Sequence, residues 1–200
     1  MIKMTYSNML TIARIVFIPI YLIFLFSSFQ YGRIIALFIF IIASLTDWYD
    51  GRIARERGEV TEFGKALDPI ADKLLVLSAF ISFVQLDLVP TWMIMVMIAR
   101  DFLITSFRMM AISKKGQVLA AIPSGKHKTF WHITTIITIL VIIALGEALP
   151  WKEFLISRGD TGENILAFVL MLPYAMTFIC VVYSVYSAFD FVKRNKKYIF

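Results

Sequence analysis

Six stretches of the chain carry no Asp, Glu, Lys or Arg: Ile15–Gly32, Ile34–Thr46, Leu74–Leu86, Leu88–Ala99, Thr129–Gly146 and Asn164–Phe189. A helix needs about 20 apolar residues to cross a bilayer core. The first, fifth and sixth runs meet that length, whereas the other three offer about a dozen residues each. Those three can still span if the charged residues at one end belong to the same helix. The second then continues through Asp47 and Asp50, the third begins near Lys65, and the fourth continues through Arg100, Asp101 and Arg108. The pattern predicts an all-α integral membrane protein with about six transmembrane helices. It predicts a single domain over residues 1–200, with no room for a separate soluble one.

Composition agrees. Of 200 residues 60% are hydrophobic and only 17% are charged, too little polar surface to cover a soluble core of this size. The net charge of +6 could suggest nucleic acid, but the basic residues fall in short clusters between apolar runs. Topology and anionic-lipid contact explain that placement better. Two histidines and the single Cys180 exclude a disulfide framework and a zinc site of the usual kind. Ile15–Gly32 follows Arg14 without a clear cleavage signal and is read as a retained helix.

With a cytoplasmic N-terminus, seventeen Lys and Arg lie on the inner side and only Arg33, Lys152 and Arg158 on the outer. The positive-inside bias therefore predicts that both termini are cytoplasmic. It also gathers the charge-extended ends of the three short spans on one face, around a polar cavity open to the cytoplasm.

Four aspartates stand in that region, in two tight pairs. On helices, Asp47 and Asp50 at i, i+3 share a face, as do Asp68 and Asp72 at i, i+4. A lone aspartate at a helix end is most simply a solvated charge or a partner for Arg52, Arg55, Arg57 or Lys65. Four at these spacings are a different matter, because clustered carboxylates repel in a partly desolvated site. A divalent cation removes the conflict, and an all-oxygen donor set suits Mg²⁺, Mn²⁺ or Ca²⁺. Gly51, Ala54 and Gly64 leave room for a ligand to approach the backbone, or for helix–helix packing.

The order Asp47-x2-Asp50-Gly51-x2-Ala54-Arg55-x8-Gly64-x3-Asp68-x3-Asp72 resembles the complete signature of the CDP-alcohol phosphatidyltransferases. The resemblance implies six transmembrane helices, a homodimer, and two divalent cations, Mg²⁺ or Mn²⁺. It implies transfer of a phosphatidyl group from CDP-diacylglycerol to an alcohol, with release of CMP. Carried over by position, Asp47, Asp50, Asp68 and Asp72 would ligate metal, and Asp72 would also be the catalytic base. Gly51, Ala54, Gly64, Arg55 and Asn8 would take the CDP moiety.

The stretches Asn8–Pro19, "DWYDG", "LDPIADKLLV", Ala99–Arg108 and Gly125–Thr129 further resemble the branch of that family whose acceptor is glycerol 3-phosphate. Its product is phosphatidylglycerophosphate. A phosphorylated acceptor needs a second anion pocket, and the expected donors are Arg100, Arg108, Lys126 and Lys128. Arg100 and Arg108 lie two helical turns apart on one side, and guanidinium forks suit bidentate phosphate binding. The alternative for Arg100 is an ion pair with an aspartate; for the lysines it is a topological charge. Asp101 stands where this branch more often has glutamate, and Arg-Asp resembles the cardiolipin-forming branch, whose acceptor is phosphatidylglycerol. Inositol phosphate is a third acceptor used by the family. A cation transporter is a reading from another class, but it would require polar groups through the outer, nearly pure apolar, halves of the spans. A lipid-binding scaffold without catalysis is a third.

Overall fold

The computed structural model describes residues 6–57, 62–115, 123–149 and 151–199, with side chains described for a smaller set that excludes residues 47–70 and 110–127. Among the described residues there are helices and no strands. They are α1 (Tyr6–Phe26), α2 (Gly32–Arg57), α3 (Glu62–Gln85), α4 (Thr91–Lys115), α5 (Pro123–Ala148), α6 (Trp151–Ile156) and α7 (Asp160–Ile199). The three short apolar runs are extended as the charge pattern predicts. Helix α2 continues past Thr46 through Asp47 and Asp50, α3 starts before Lys65, and α4 runs through Arg100 and Asp101 to Lys115.

At 1.5 Å per residue the 21-residue α1 covers about 32 Å, enough for a bilayer core, whereas the six-residue α6 is too short to cross. Two segments, Lys128–Ala148 and Asp160–Asn195, are long and apolar enough to cross on composition alone, with shorter apolar helices at Thr11–Phe26, Gly32–Thr46 and Lys73–Gln85. The distribution of polarity is that of a membrane protein. Phe102 is 75% exposed and Phe189 72%, and Phe38, Ile81 and Met171 also face outward. Meanwhile Thr11, Arg14, Ser82, Lys128, His132, Thr135, Thr177, Ser184 and Ser187 are buried. Water would drive the first set inward and keep the charges out; lipid reverses the preference.

The chain divides into two compact units, residues 1–82 with 136–170 and residues 83–135 with 171–200. In the first, Tyr21, Leu25, Phe40, Leu75 and Phe80 are buried together with Ile136, Ile139 and Leu140 of α5. The rings of Tyr21 and Phe40 lie 5.9 Å apart, tilted by 56°. Ser82 donates its only hydroxyl hydrogen to the Ala79 carbonyl at 2.7 Å, so the 3.0 Å bond between Tyr21 Oη and Ser82 Oγ has the tyrosine as donor. It fastens α1 to α3 in a region where lipid offers no substitute partner. The α1–α2 turn is tight, because Gly32 is seated where a Cβ would meet the Phe24 carbonyl and Ser27 Oγ at 2.7 Å. Immediately after it, the Arg33 amide donates to Glu147 Oε2 of α5 at 2.9 Å.

In the second unit α3 ends in a two-bond cap. The Leu88 amide reaches back to the Phe83 carbonyl and the Asp87 amide to that of Val84, each at 3.0 Å. Asp87 sits in the left-handed region at φ 56°, the C′ position of a Schellman motif. Pro90 then blocks any continuation, and α4 begins at Thr91. Met93, Ile94, Met97 and Ile104 of α4 are buried, as are Cys180, Val181 and Phe191 of α7. The Cys180 thiol lies 3.2 Å from Thr135 Oγ1, a packed environment consistent with an inert cysteine.

Candidate active site

The acidic residues enter the structure through their backbones. Positions 47 and 50 lie in α2, and positions 68 and 72 in α3, so both pairs have the helical spacing on which the expected shared faces depend. Gly51, Ala54 and Arg55 are in α2, Gly64 in α3, and Asn8 in α1. The side chains of all these residues lie outside the described set, as do those of Arg108 in α4 and Lys126 in α5. The donor chemistry fits a hard divalent cation. Four carboxylates supply oxygen only, on uninterrupted helices that bring no sulfur or imidazole into either pair.

Arg100 and Lys128 are described in full, and the second unit brings them together. Arg100 points back across α7: its Nε donates to the Ser184 carbonyl at 3.1 Å and its Nη2 to Ser187 Oγ at 2.9 Å. Its Nη1 donates to Asp101 Oδ1 at 2.9 Å, so the ion pair considered from the sequence is formed, with the next residue along the helix. Lys128 Nζ, from α5, donates to the same Asp101 oxygen. The side chains of Arg100, Lys128 and Asp101 are 13%, 9% and 28% exposed. Among the described side chains, two cations and one carboxylate leave one positive charge there, in surroundings of low dielectric where it acts strongly on an anion.

This cluster is built by helical spacing. Lys128, His132 and Thr135 form the buried polar edge of α5 at i, i+4 and i+7. Thr177, Ser184 and Ser187 form that of α7, three to seven residues apart and so on neighbouring faces. The apolar face of α4 that holds Met93 and Met97 reaches Arg100 and Ile104 in its next turns. Lipid-exposed helices carry such stripes only where they face other protein or water.

Four residues with buried or paired polar groups escape the sequence reading, three in the second unit and Arg14 in the first. Asp101 registers there only as a departure from a pattern, and its sharing between two cations depends on α5. Ser184 and Ser187 are small polar residues inside a long apolar run, where their i, i+3 spacing was the available signal. Arg14 counts in the sequence as a topological charge, yet it is 1% exposed, one turn from the fully buried Thr11.

The chain belongs to the CDP-alcohol phosphatidyltransferase family: the family's model matches residues 4–159. It is thus a transferase carried on a membrane-embedded helical fold. It is 43% identical over 146 residues to the CDP-diacylglycerol–glycerol-3-phosphate 3-phosphatidyltransferase of Bacillus subtilis, a match covering 67% of this chain and 75% of that protein. The enzyme of the same name from Rickettsia bellii is 31% identical over 192 residues, 96% of this chain and 95% of the relative. That from Rickettsia typhi is 34% identical over 160 residues, covering 80% and 85%.

Proposed function

We propose that this chain transfers the phosphatidyl group of CDP-diacylglycerol to glycerol 3-phosphate, forming phosphatidylglycerophosphate and CMP. The observation that carries the reading is similarity along nearly the whole chain to relatives that bear this name, joined to an acidic signature filled at every position. The cationic cluster of Arg100 and Lys128 supports a phosphorylated acceptor in particular.

In this reading Asp47, Asp50, Asp68 and Asp72 hold two divalent cations, Mg²⁺ or Mn²⁺, which neutralise the diphosphate of the nucleotide. Gly51, Ala54 and Gly64 leave space for cytidine, with Asn8 and Arg55 as polar contacts. Arg100 and Lys128, joined by Arg108 and Lys126, bind the phosphate of the acceptor and so orient its free hydroxyl. Asp72 accepts the proton of that hydroxyl as the oxygen bonds to the lipid-side phosphorus. The bond from that phosphorus to the CMP oxygen breaks, and CMP departs with the electron pair. A carboxylate near bound cations is a modest base, so placement does much of the work.

The chain is read as one domain of about six transmembrane helices in the cytoplasmic membrane. Both termini and the active site face the cytoplasm, and two copies form a homodimer. The test is a panel of acceptors given to purified protein with CDP-diacylglycerol and Mg²⁺ or Mn²⁺. CMP release should depend on glycerol 3-phosphate. Release that depends instead on phosphatidylglycerol, inositol phosphate or serine would overturn the acceptor and keep the reaction class.

A further inference from the structure

One oxygen, Asp101 Oδ1, accepts from Arg100 on α4 and from Lys128 on α5. Helix α7 completes the arrangement through the Ser184 carbonyl and the Ser187 hydroxyl. We propose that Asp101 is a positioning residue for the acceptor: it holds the Arg100 and Lys128 cations at a set spacing so that they grip the acceptor phosphate together. This rests on the glycerol 3-phosphate reading above.

Long cationic side chains lose rotamer freedom when they close on an anion, and that loss weakens binding unless it has already been incurred. Here it has been. A guanidinium carries five N–H groups, and three of those on Arg100 are given to Ser184, Ser187 and Asp101. The second hydrogen on each terminal nitrogen is left to make a forked contact with a phosphate. The carboxylate thereby orients the fork without using it up.

A competing account treats Asp101 as a neutralising charge only. The two accounts predict opposite signs. If Asp101 only reduces the positive potential, removing it strengthens attraction for the acceptor phosphate and lowers KM. If it sets the spacing, removing it raises KM despite the added positive charge. The shared oxygen favours the second, because no other described side chain bonds both cations.

The experiment compares wild type with Asp101→Ala and Asp101→Glu, measuring CMP release against glycerol 3-phosphate and, separately, against CDP-diacylglycerol. Asp101→Ala should raise KM for glycerol 3-phosphate roughly tenfold, equivalent to about 1.4 kcal/mol. Its kcat and its KM for CDP-diacylglycerol should stay within about twofold, changes too small to count as lost binding on this energy scale. Asp101→Glu should recover most of the loss, which a role in packing alone would not produce. An unchanged or lowered KM for glycerol 3-phosphate overturns the proposal, as does an equal rise for both substrates. Should the alanine variant fail to fold, Asp101→Ser, whose shorter side chain cannot place an acceptor at the Oδ1 position, is judged by the same criterion. Wild-type protein that releases no CMP with glycerol 3-phosphate defeats the functional reading itself. Wild-type turnover with an unaltered variant KM defeats only the role of Asp101.

Discussion

Glu147, near the C-terminal end of α5, accepts the backbone amide of Arg33 in the first turn of α2, 2.9 Å away and 114 residues distant in sequence. The first amides of a helix have no intrahelical acceptor, and an anion there also meets the positive end of the helix dipole. Replacing Glu147 by Ala should destabilise the protein by about 1 kcal/mol, the usual worth of such a cap. Glu147→Gln keeps an acceptor and should lose less. Substituting the Arg33 side chain should have no comparable effect, since the bond uses its backbone. Thermal unfolding in detergent micelles measures all three, and equal loss from Gln and Ala would show that the charge alone matters.

Asp87 holds a left-handed backbone conformation at the end of α3. For an L-residue that conformation costs about 1 kcal/mol, and glycine is spared it. Asp87→Gly should therefore raise the unfolding temperature by roughly 2–4 °C in a chain of this size. Asp87→Val, with a branched Cβ, should lower it. A stabilising valine would contradict the capping geometry.

Tyr21 donates to Ser82 inside the first unit. Tyr21→Phe leaves a buried hydroxyl oxygen without its donor and should cost about 0.6–1.7 kcal/mol, the average to the maximum measured for hydrogen bonds between membrane helices. Ser82→Ala in the Tyr21→Phe background should add less than it does alone, because the two groups share one bond. Full additivity in that double-mutant cycle would exclude the coupling.

Asp72 is assigned the hydroxyl proton. Asp72→Asn should reduce CMP release by at least about 10²-fold, the lower range for a lost general base. Retention of CDP-diacylglycerol should be measured on the same preparation by equilibrium binding and should be largely kept. Wild-type turnover in the variant would remove Asp72 from the mechanism.

Chelation provides an independent check on the acidic pairs. EDTA should abolish CMP release, and Mg²⁺ or Mn²⁺ added in excess should restore it, since these ions suit all-oxygen carboxylate donors. Turnover that persists in chelator would mean that the four aspartates act without metal.

Membrane character, the extension of the three short spans and the acidic signature were legible in the chain alone, whereas the first uncharged run, Ile15–Gly32, is helical only as far as Phe26 and Gly32 already opens α2. Each legible feature depends on residues close in sequence: uncharged runs of measurable length, and carboxylates whose i, i+3 and i, i+4 spacing a helix converts into a common face. The reach of α2, α3 and α4 beyond their apolar runs followed from the same local argument, because charges at a helix end can remain helical while the apolar part stays in lipid. The short α6 had no such signal. Arg14 shows the limit, since nothing in its neighbourhood distinguishes a buried guanidinium from a cytoplasmic one. Only the tertiary structure decided that Glu147 caps α2, that Tyr21 is tied to Ser82, and that Asp101 joins Arg100 to Lys128 beside Ser187. Those pairings span 27 to 114 residues. They arise because an apolar surrounding leaves a polar group no partner except one that helix packing brings to it.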